Sequence, residues 1–376
     1  MTERSATRSL GHLAASSVAF PYMDTIRIPL AAMLRTLGAN VVVPPNPDRA
    51  VLQAGVRLAP ELMCIPFKLT LGSMVRCLEQ GADTLVYVSG SWSCRFGYYG
   101  RLQAEILRDC GYRFRLLELR HDQIPAIARE LVTMSRGSLP RAVVRMGRAL
   151  SLGWHKSSSV ERAETLARET LPFAAEPARV RTLFDRTLRE IDETNRSSEL
   201  VRLKRGLAGR FDAIPRDGVG ERPKVKLVGE SYCTLEPFIN FDILRHLGEM
   251  GVLADPFLTA HRWLGFHGFR IGRTELDRSR RAARAYWRMC VGGEDENSLG
   301  HLILAARQGF DGVIHVHPFG CMPGTVVQPA MARASRDCSI PYLSLSLDEH
   351  TTETGMLTRL EAFVSLLKRR KDRSRG

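Results

Sequence analysis

Two stretches far apart in this chain carry the same pattern. Gln80-Gly81-Ala82-Asp83-Thr84-Leu85-Val86-Tyr87-Val88 runs on to Cys94, and Gln308-Gly309-Phe310-Asp311-Gly312-Val313-Ile314-His315-Val316 runs on to Cys321. Each reads as a helix end, a buried strand and a loop carrying a thiol. Two further echoes follow the same order. Residues 30–45 (LAAMLRTLGANVVVPP) are matched by 241–256 (FDILRHLGEMGVLADP), and Arg108-Asp109-Cys110 by Arg336-Asp337-Cys338. Echoes in one order imply an internal duplication, so the fold must consist of two similar halves.

Within each half, short β-branched runs alternate with amphipathic helical patterns. The strands expected are Ser17–Phe20, Asn40–Val43, Thr84–Val88 and Arg113–Leu119, then Lys224–Val228, Gly251–Ala254, Gly312–Val316 and Tyr342–Leu347. Strand-helix alternation requires right-handed crossovers and parallel sheets. The expected class is therefore α/β: two Rossmann-like (flavodoxin-like) parallel-sheet domains. The division is a flexible terminus at 1–16, a first domain at 17–120, a helical connector at 121–220, a second domain at 221–367 and a basic tail at 368–376. The connector shows almost no strand signal and an Arg/Glu-laced helical pattern around 160–208.

The chain of 376 residues carries a formal charge of +14. Such an excess favours anionic partners but says nothing of fold. Its arginines are spread over helical faces, without a helix-turn-helix, zinc knuckle or aromatic stacking motif, so a nucleic-acid partner is not expected. No apolar run approaches the roughly 18 to 20 residues of a membrane span, and residues 1–20 show no signal-peptide core. A cytoplasmic protein with no membrane partner is expected. The eight cysteines lack the clustering of a disulfide scaffold, which suits a reducing compartment.

Three of those cysteines sit in loops at strand or helix ends. Cys64 precedes Ile65-Pro66-Phe67-Lys68 at the start of a helix, where Pro66 suits a first turn and the dipole would stabilise a thiolate. Cys94 lies in Ser93-Cys94-Arg95-Phe96-Gly97, and Cys321 in Pro318-Phe319-Gly320-Cys321-Met322-Pro323-Gly324. In open parallel sheets ligands gather at the carboxyl ends of strands, so three thiols there mark a candidate metal site. On spacing alone they fit zinc, copper or an iron–sulfur cluster equally well, or scattered structural cysteines. Cys77, Cys110, Cys290 and Cys338 suit the core, and Cys233 remains a possible fourth ligand.

The Cys64 and Cys321 loops, with Gly229-Glu230, with Glu236-Pro237-Phe238-Ile239-Asn240 and with Leu345-Ser346-Leu347-Asp348-Glu349-His350, carry a resemblance. The chain resembles the superfamily of 2-hydroxyacyl-CoA dehydratase and benzoyl-CoA reductase subunits, most closely its acyl-CoA dehydratase activase-related branch. The likeness covers both lobes, about residues 18–366. It implies a low-potential iron–sulfur cluster, of the 4Fe-4S type, held by Cys64, Cys94 and Cys321. It also implies a separate ATP-dependent activase as electron donor, a homologous subunit or second copy as a partner, and an acyl-CoA or other small-molecule substrate. No P-loop or glycine-rich acidic phosphate signature is present, so ATP hydrolysis is expected in another polypeptide. A non-catalytic accessory protein that binds a cluster and the activase is the alternative.

Other polar residues fall near the same sheet edges. Glu230, Asp348, Glu349 and His350 follow strands and are candidate acids, bases or substrate contacts. Asp348 or Thr351 equally suits the cap of a helix around 356–367. Lys68 and Arg95, beside ligand thiols, would offset cluster charge, with Gly320 and His317 also candidates for the cofactor pocket. His315 and His317 flank Val316 and so share one face of a strand; as satisfied histidines they are expected to face outward.

Overall fold

The computed structural model describes residues 16–89, 94–120, 138–217, 220–269 and 273–373. Its strands are β1 (Ser17–Ala19), β2 (Asn40–Val41), β3 (Thr84–Ser89), β4 (Arg115–Arg120), β5 (Lys224–Gly229), β6 (Leu253–Pro256), β7 (Gly312–Pro318) and β8 (Tyr342–Leu347). They form two four-stranded sheets, ordered β2-β1-β3-β4 and β6-β5-β7-β8, and every pairing is parallel. The two halves therefore share one doubly wound topology, as the duplicated sequence requires.

The echoes have a physical cause. Gly81 and Gly309 stand at φ +90° and +74° just past a helix, conformations that glycine reaches without a Cβ penalty. In each, the next residue donates back five positions, Ala82 N–H to the Cys77 carbonyl and Phe310 N–H to that of Ala305, both at 3.0 Å. This is the Schellman helix stop, and it turns the chain straight into β3 and β7. The other echoes are the same device: Ala39 N–H reaches the Leu34 carbonyl and Val252 N–H that of Leu247. Tyr112 and Ile340 do likewise, although in the last case Ser339, not glycine, holds φ +53°.

The helices used below are α1 (Arg27–Thr36), α2 (Arg49–Leu58), α3 (Ile65–Glu79), α4 (Tyr99–Asp109), α5 (Leu139–Thr170), α6 (Pro177–Glu193), α7 (Ser197–Asp212), α8 (Ser231–Leu235), α9 (Ile243–Glu249), α10 (Arg273–Ala283), α11 (Asp295–Arg307), α12 (Met322–Val326) and α14 (Glu353–Arg373), with α13 (Gln328–Asp337) between the last two. Helices α5 to α7 occupy the arginine-rich middle and close over α1 through Ile28, Ala32, Val160, Leu200 and Phe211. Their charges are laced to one another, as in Arg210–Glu190 and Arg168–Glu164.

Helices α2 and α3 cross at backbone contact. A Cβ placed on Gly55 would stand 1.7 Å from the Lys68 carbonyl oxygen, and one on Gly72 would stand 1.9 Å from that of Val51. In the second lobe a Cβ on Gly300 of α11 would stand 2.0 Å from the Ser279 carbonyl oxygen of α10. Gly72 and Gly300 each lie the same number of residues ahead of their Schellman glycine, a correspondence the sequence reading missed. The α2–α3 pair does not stay within its own lobe. Val51, Leu52, Ile65 and Leu69 share one apolar core with Val225, Leu227, Ile314, Leu345 and Leu360 of the second lobe. This anchoring fixes the amino terminus of α3, and with it Cys64 and Lys68, against the opposite sheet.

Candidate thiol site between the two lobes

In sheets of this strand order the chain leaves β1 and β3 in opposite directions, and so too β5 and β7, opening a crevice at their carboxyl ends. Cys94 follows β3, Glu230 and Cys233 follow β5, and Cys321 follows β7. Cys64, carried across by α3, arrives beside them.

Each sulfur-bearing residue begins a helical turn. Cys64 is the N-cap of α3, Cys94 that of the 3-10 turn Arg95–Tyr98, and Cys321 that of α12. Cys233 lies in the first turn of α8, whose N-cap Glu230 accepts from Tyr232 N–H at 3.0 Å and Cys233 N–H at 2.8 Å. Four helix amino termini therefore bring partial positive charge to one locality, an arrangement suited to an anionic group.

The electrostatics show that these groups feel one another. The Cys94 thiol is pushed up to about 11, by burial first and then by the charge of Glu230 and the Cys64 sulfur. Cys321 is pushed up to about 12 by burial, then by Glu230, Cys94 and Cys64. Cys233, fully buried, is raised by burial, Glu230, Cys64 and Cys321. The Glu230 carboxyl is itself raised by burial, against the two N–H bonds that favour its charged form. Cys94 and the Cys321 loop meet over Gly293, where an added Cβ would lie 4.0 Å from Cys94 Cβ and 3.0 Å from Pro323 Cγ.

Cys64 corrects one expectation. Its helix position suggested a poised thiolate, yet the thiol is raised because burial, joined by the Glu230 charge, outweighs a hydrogen bond from Tyr99. Tyr99 Oη lies 2.5 Å from Cys64 Sγ, with its ring held edge-on against Phe67 at 5.0 Å. Sequence reasoning missed Tyr99, because only the tertiary meeting of α3 with α4 gives it a role. Among the described residues no group of three or more His, Cys, Asp or Glu side chains is arranged to hold a metal ion. The donors nonetheless fit a thiolate-bound cluster in kind: soft sulfurs, a carboxyl and helix amino termini, all with raised acid pKa values that iron would lower.

The remaining candidates divide. Lys68 is buried and pairs across the lobes with Glu349, so its charge is matched by a carboxylate rather than left for the sulfurs. Burial pushes the Glu349 carboxyl up, but the Lys68 hydrogen bond and charge outweigh it and hold it below its ordinary value. Arg95 is exposed, with Nη1 3.9 Å from Met63 Sδ, and its charge favours the thiolates of Cys64 and Cys94. Asp348 accepts from His350 N–H at 3.0 Å and Thr351 Oγ1 at 2.8 Å in a local turn, and His350 is exposed. The α14 cap is neither Asp348 nor Thr351 but Thr352, which accepts from Gly355 N–H at 3.3 Å. Gly320 occupies an exposed turn at φ +69° before Cys321.

The histidines share a face, as expected, with ring centroids 4.9 Å apart. The outward orientation is wrong: both are buried, because β7 is an internal strand covered on both sides. His317 Nε2 lies 2.9 Å from Gln328 Nε2 and 3.3 Å from Ser344 Oγ, and its Cβ lies 2.7 Å from where a Cβ on Gly324 would be. It supports the α12 turn from behind.

The sequence pattern of a known family, described as 2-hydroxyglutaryl-CoA dehydratase, D-component, matches residues 158–367, more than half of the chain. The chain belongs to this family. No individual curated protein matches it. The matched stretch holds Glu230, Cys233, Cys321 and Asp348 to His350, while Cys64 and Cys94 lie ahead of it in the duplicated first half. Membership makes the chain a component of the 2-hydroxyacyl-CoA dehydratase type, in a family associated with iron–sulfur clusters and with an activase partner. No helix among the described residues is long and apolar enough to cross a membrane.

Proposed function

We propose that this dehydratase-type component carries a 4Fe-4S cluster on Cys64, Cys94 and Cys321. It takes low-potential electrons from a separate ATP-hydrolysing activase for the reduction or dehydration of an acyl-CoA or similar small substrate. The observation that supports the reading is that thiols from both lobes, each beginning a helical turn, are near enough to one another and to Glu230 for their charges to interact. When bound, such a cluster supplies one-electron chemistry at an iron that protein sulfur does not saturate.

The chain's own residues would do the rest. Tyr99 is hydrogen-bonded to the Cys64 sulfur and fixes its direction. Glu230, with a raised pKa beside the sulfurs, is placed to give or take a proton there. Cys233 is buried beside the same carboxylate and is the candidate for any fourth sulfur. The Lys68–Glu349 pair holds the lobes together at the rim, while Arg95 adds positive charge. An apolar cavity of about 70 Å³ begins at Tyr99 and is lined by Met23, Phe96, Trp263 and Leu264 among others. Its apolar lining and small volume suit a short aliphatic group of a few carbons. In this reading residues 17–120 and 221–367 are the two cluster-holding domains and 121–220 the connector. On the same reading His317 and Gly320 shape the Cys321 loop, and Asp348 and His350 belong to the turn that follows β8.

The test is anaerobic reconstitution with iron and sulfide, followed by metal analysis and low-temperature spin resonance. Stoichiometric iron with a brown absorbance band supports the reading, and Cys64→Ala and Cys321→Ala should each lower iron content. Iron uptake no greater than that of the double variant would overturn it. A loaded protein that accepts activase electrons but turns over no acyl-CoA would instead indicate the accessory role.

A further inference from the structure

A second cavity lies on the other face of the second sheet. Residues alternate along β5: Val225 and Leu227 enter the core shared with α14, whereas Val228 faces α11 and α13. Lys226 shares the face of Val228 and points toward α10 and α11. There a cavity of about 320 Å³ is lined by Lys226, Glu275, Arg278, His301, Leu304 and Gln308. Lys226 precedes Glu230 by four residues, roughly 13 Å of extended strand, so this cavity is separate from the sulfurs.

One buried polar side chain in its lining lacks a partner. His301 is only 4% exposed, lies 5.1 Å from the Phe257 ring, and makes no hydrogen bond to a described residue. Buried polar nitrogens are nearly always paired, and these line an open space instead. The surroundings are also cationic. Burial first, then the charges of Lys226 and Arg262, hold His301 down to about 3, so it stays neutral. Asp255 sits 2.7 Å from Lys226, and Arg262 has Glu161 at 3.5 Å and Glu275 at 4.0 Å. Arg278 makes no ion pair with a described residue and is exposed at the rim.

We infer that this cavity binds a small organic phosphate of mononucleotide size, with its phosphoryl oxygens between Arg278 and Lys226 and a hydrogen bond from the imidazole of His301. A phosphate dianion would accept charge-assisted hydrogen bonds from Arg278 and Lys226, which are the strong ones. Glu275 and Gln308 are placed to read hydroxyl or base groups, and Leu304 offers an apolar wall. The volume lies near the lower end of small-molecule pockets, about 300 to 1,000 Å³. Inorganic phosphate alone would leave most of it empty. The inference does not depend on the redox reading.

The test is calorimetric titration of the full chain with AMP, with inorganic phosphate and adenosine as separate arms. AMP should bind saturably at one equivalent, and each fragment should bind roughly tenfold more weakly or worse. Arg278→Glu and His301→Asn should each weaken AMP by about tenfold or more, and Arg278→Glu, at an exposed position, should do so with the unfolding midpoint in place. Absence of AMP binding at millimolar concentration, or binding that neither variant alters, overturns the site. Inorganic phosphate binding as tightly as AMP overturns the size assignment.

Discussion

The α2–α3 crossing allows one substitution type to be tested for opposite signs. Gly55→Ala would place a methyl carbon 1.7 Å from the Lys68 carbonyl oxygen, 2.7 Å from its carbon and 2.9 Å from Gly72 N. All three are backbone atoms, so no rotamer change can relieve the clash and the helices must separate, by about 1.5 Å to restore ordinary contact. Overpacking usually costs about 1 to 3 kcal/mol, and a backbone-to-backbone clash belongs at or above the upper end, about 3 kcal/mol. The displaced α3 would draw Lys68 from Glu349 and Cys64 from Tyr99, so iron uptake should fall with stability. Gly147 lies inside α5 with nothing within 4 Å of an added Cβ. There the gain in helix propensity should stabilise by about 0.5 to 1 kcal/mol. Urea unfolding followed by circular dichroism reads both. If Gly55→Ala unfolds at the same urea concentration as the unaltered chain, α2 and α3 do not touch as described.

Other outcomes follow from single contacts. Ser339 holds φ +53° at a helix stop where its counterpart is glycine, so Ser339→Gly should stabilise by about 0.5 to 1 kcal/mol in thermal unfolding. Glu349 has its folded pKa below the ordinary 4.5; the unfolded chain takes up protons first as pH falls, so the pair's stabilisation is present above about pH 4.5 and is lost as pH drops through the folded value. Lys68→Met should remove that acid dependence, seen by comparing unfolding midpoints at pH 6 and below about pH 4. Tyr99→Phe removes the hydrogen bond that favours the Cys64 thiolate, so alkylation of Cys64 in metal-free protein should slow at mildly alkaline pH, and an unchanged rate would count against the contact.

The duplication and all eight strands were legible because their signals are local: a positive-φ glycine after a helix, then a β-branched run. The placement of Cys64, Cys94 and Cys321 at strand and helix ends was legible for a related reason, since loops there are short and their thiols stand out. What stayed hidden was pairing over long separations. Nothing near Lys68 marks Glu349 as its partner, nothing near Cys64 points to Tyr99, and Gly293 earns its place only from the approach of Cys94. The histidines of β7 show the limit of period-two reasoning, which assigns a common face but not whether helices cover it. Burial likewise reversed the helix-dipole expectation for Cys64, because desolvation acts on the whole thiolate while the dipole contributes a partial charge.

The insertion of Val51, Leu52, Ile65 and Leu69 into the apolar interior around β5 and β7 bears on how the duplicated gene product matured. An ancestral single copy would have had to cover that surface by itself or by pairing with a twin. In the fused chain the halves have become mutually dependent for folding. A fragment ended before residue 221 would leave those four side chains in water, and the complementary fragment would lose part of its own interior. Each half expressed alone should therefore be less stable than the same residues in the intact chain.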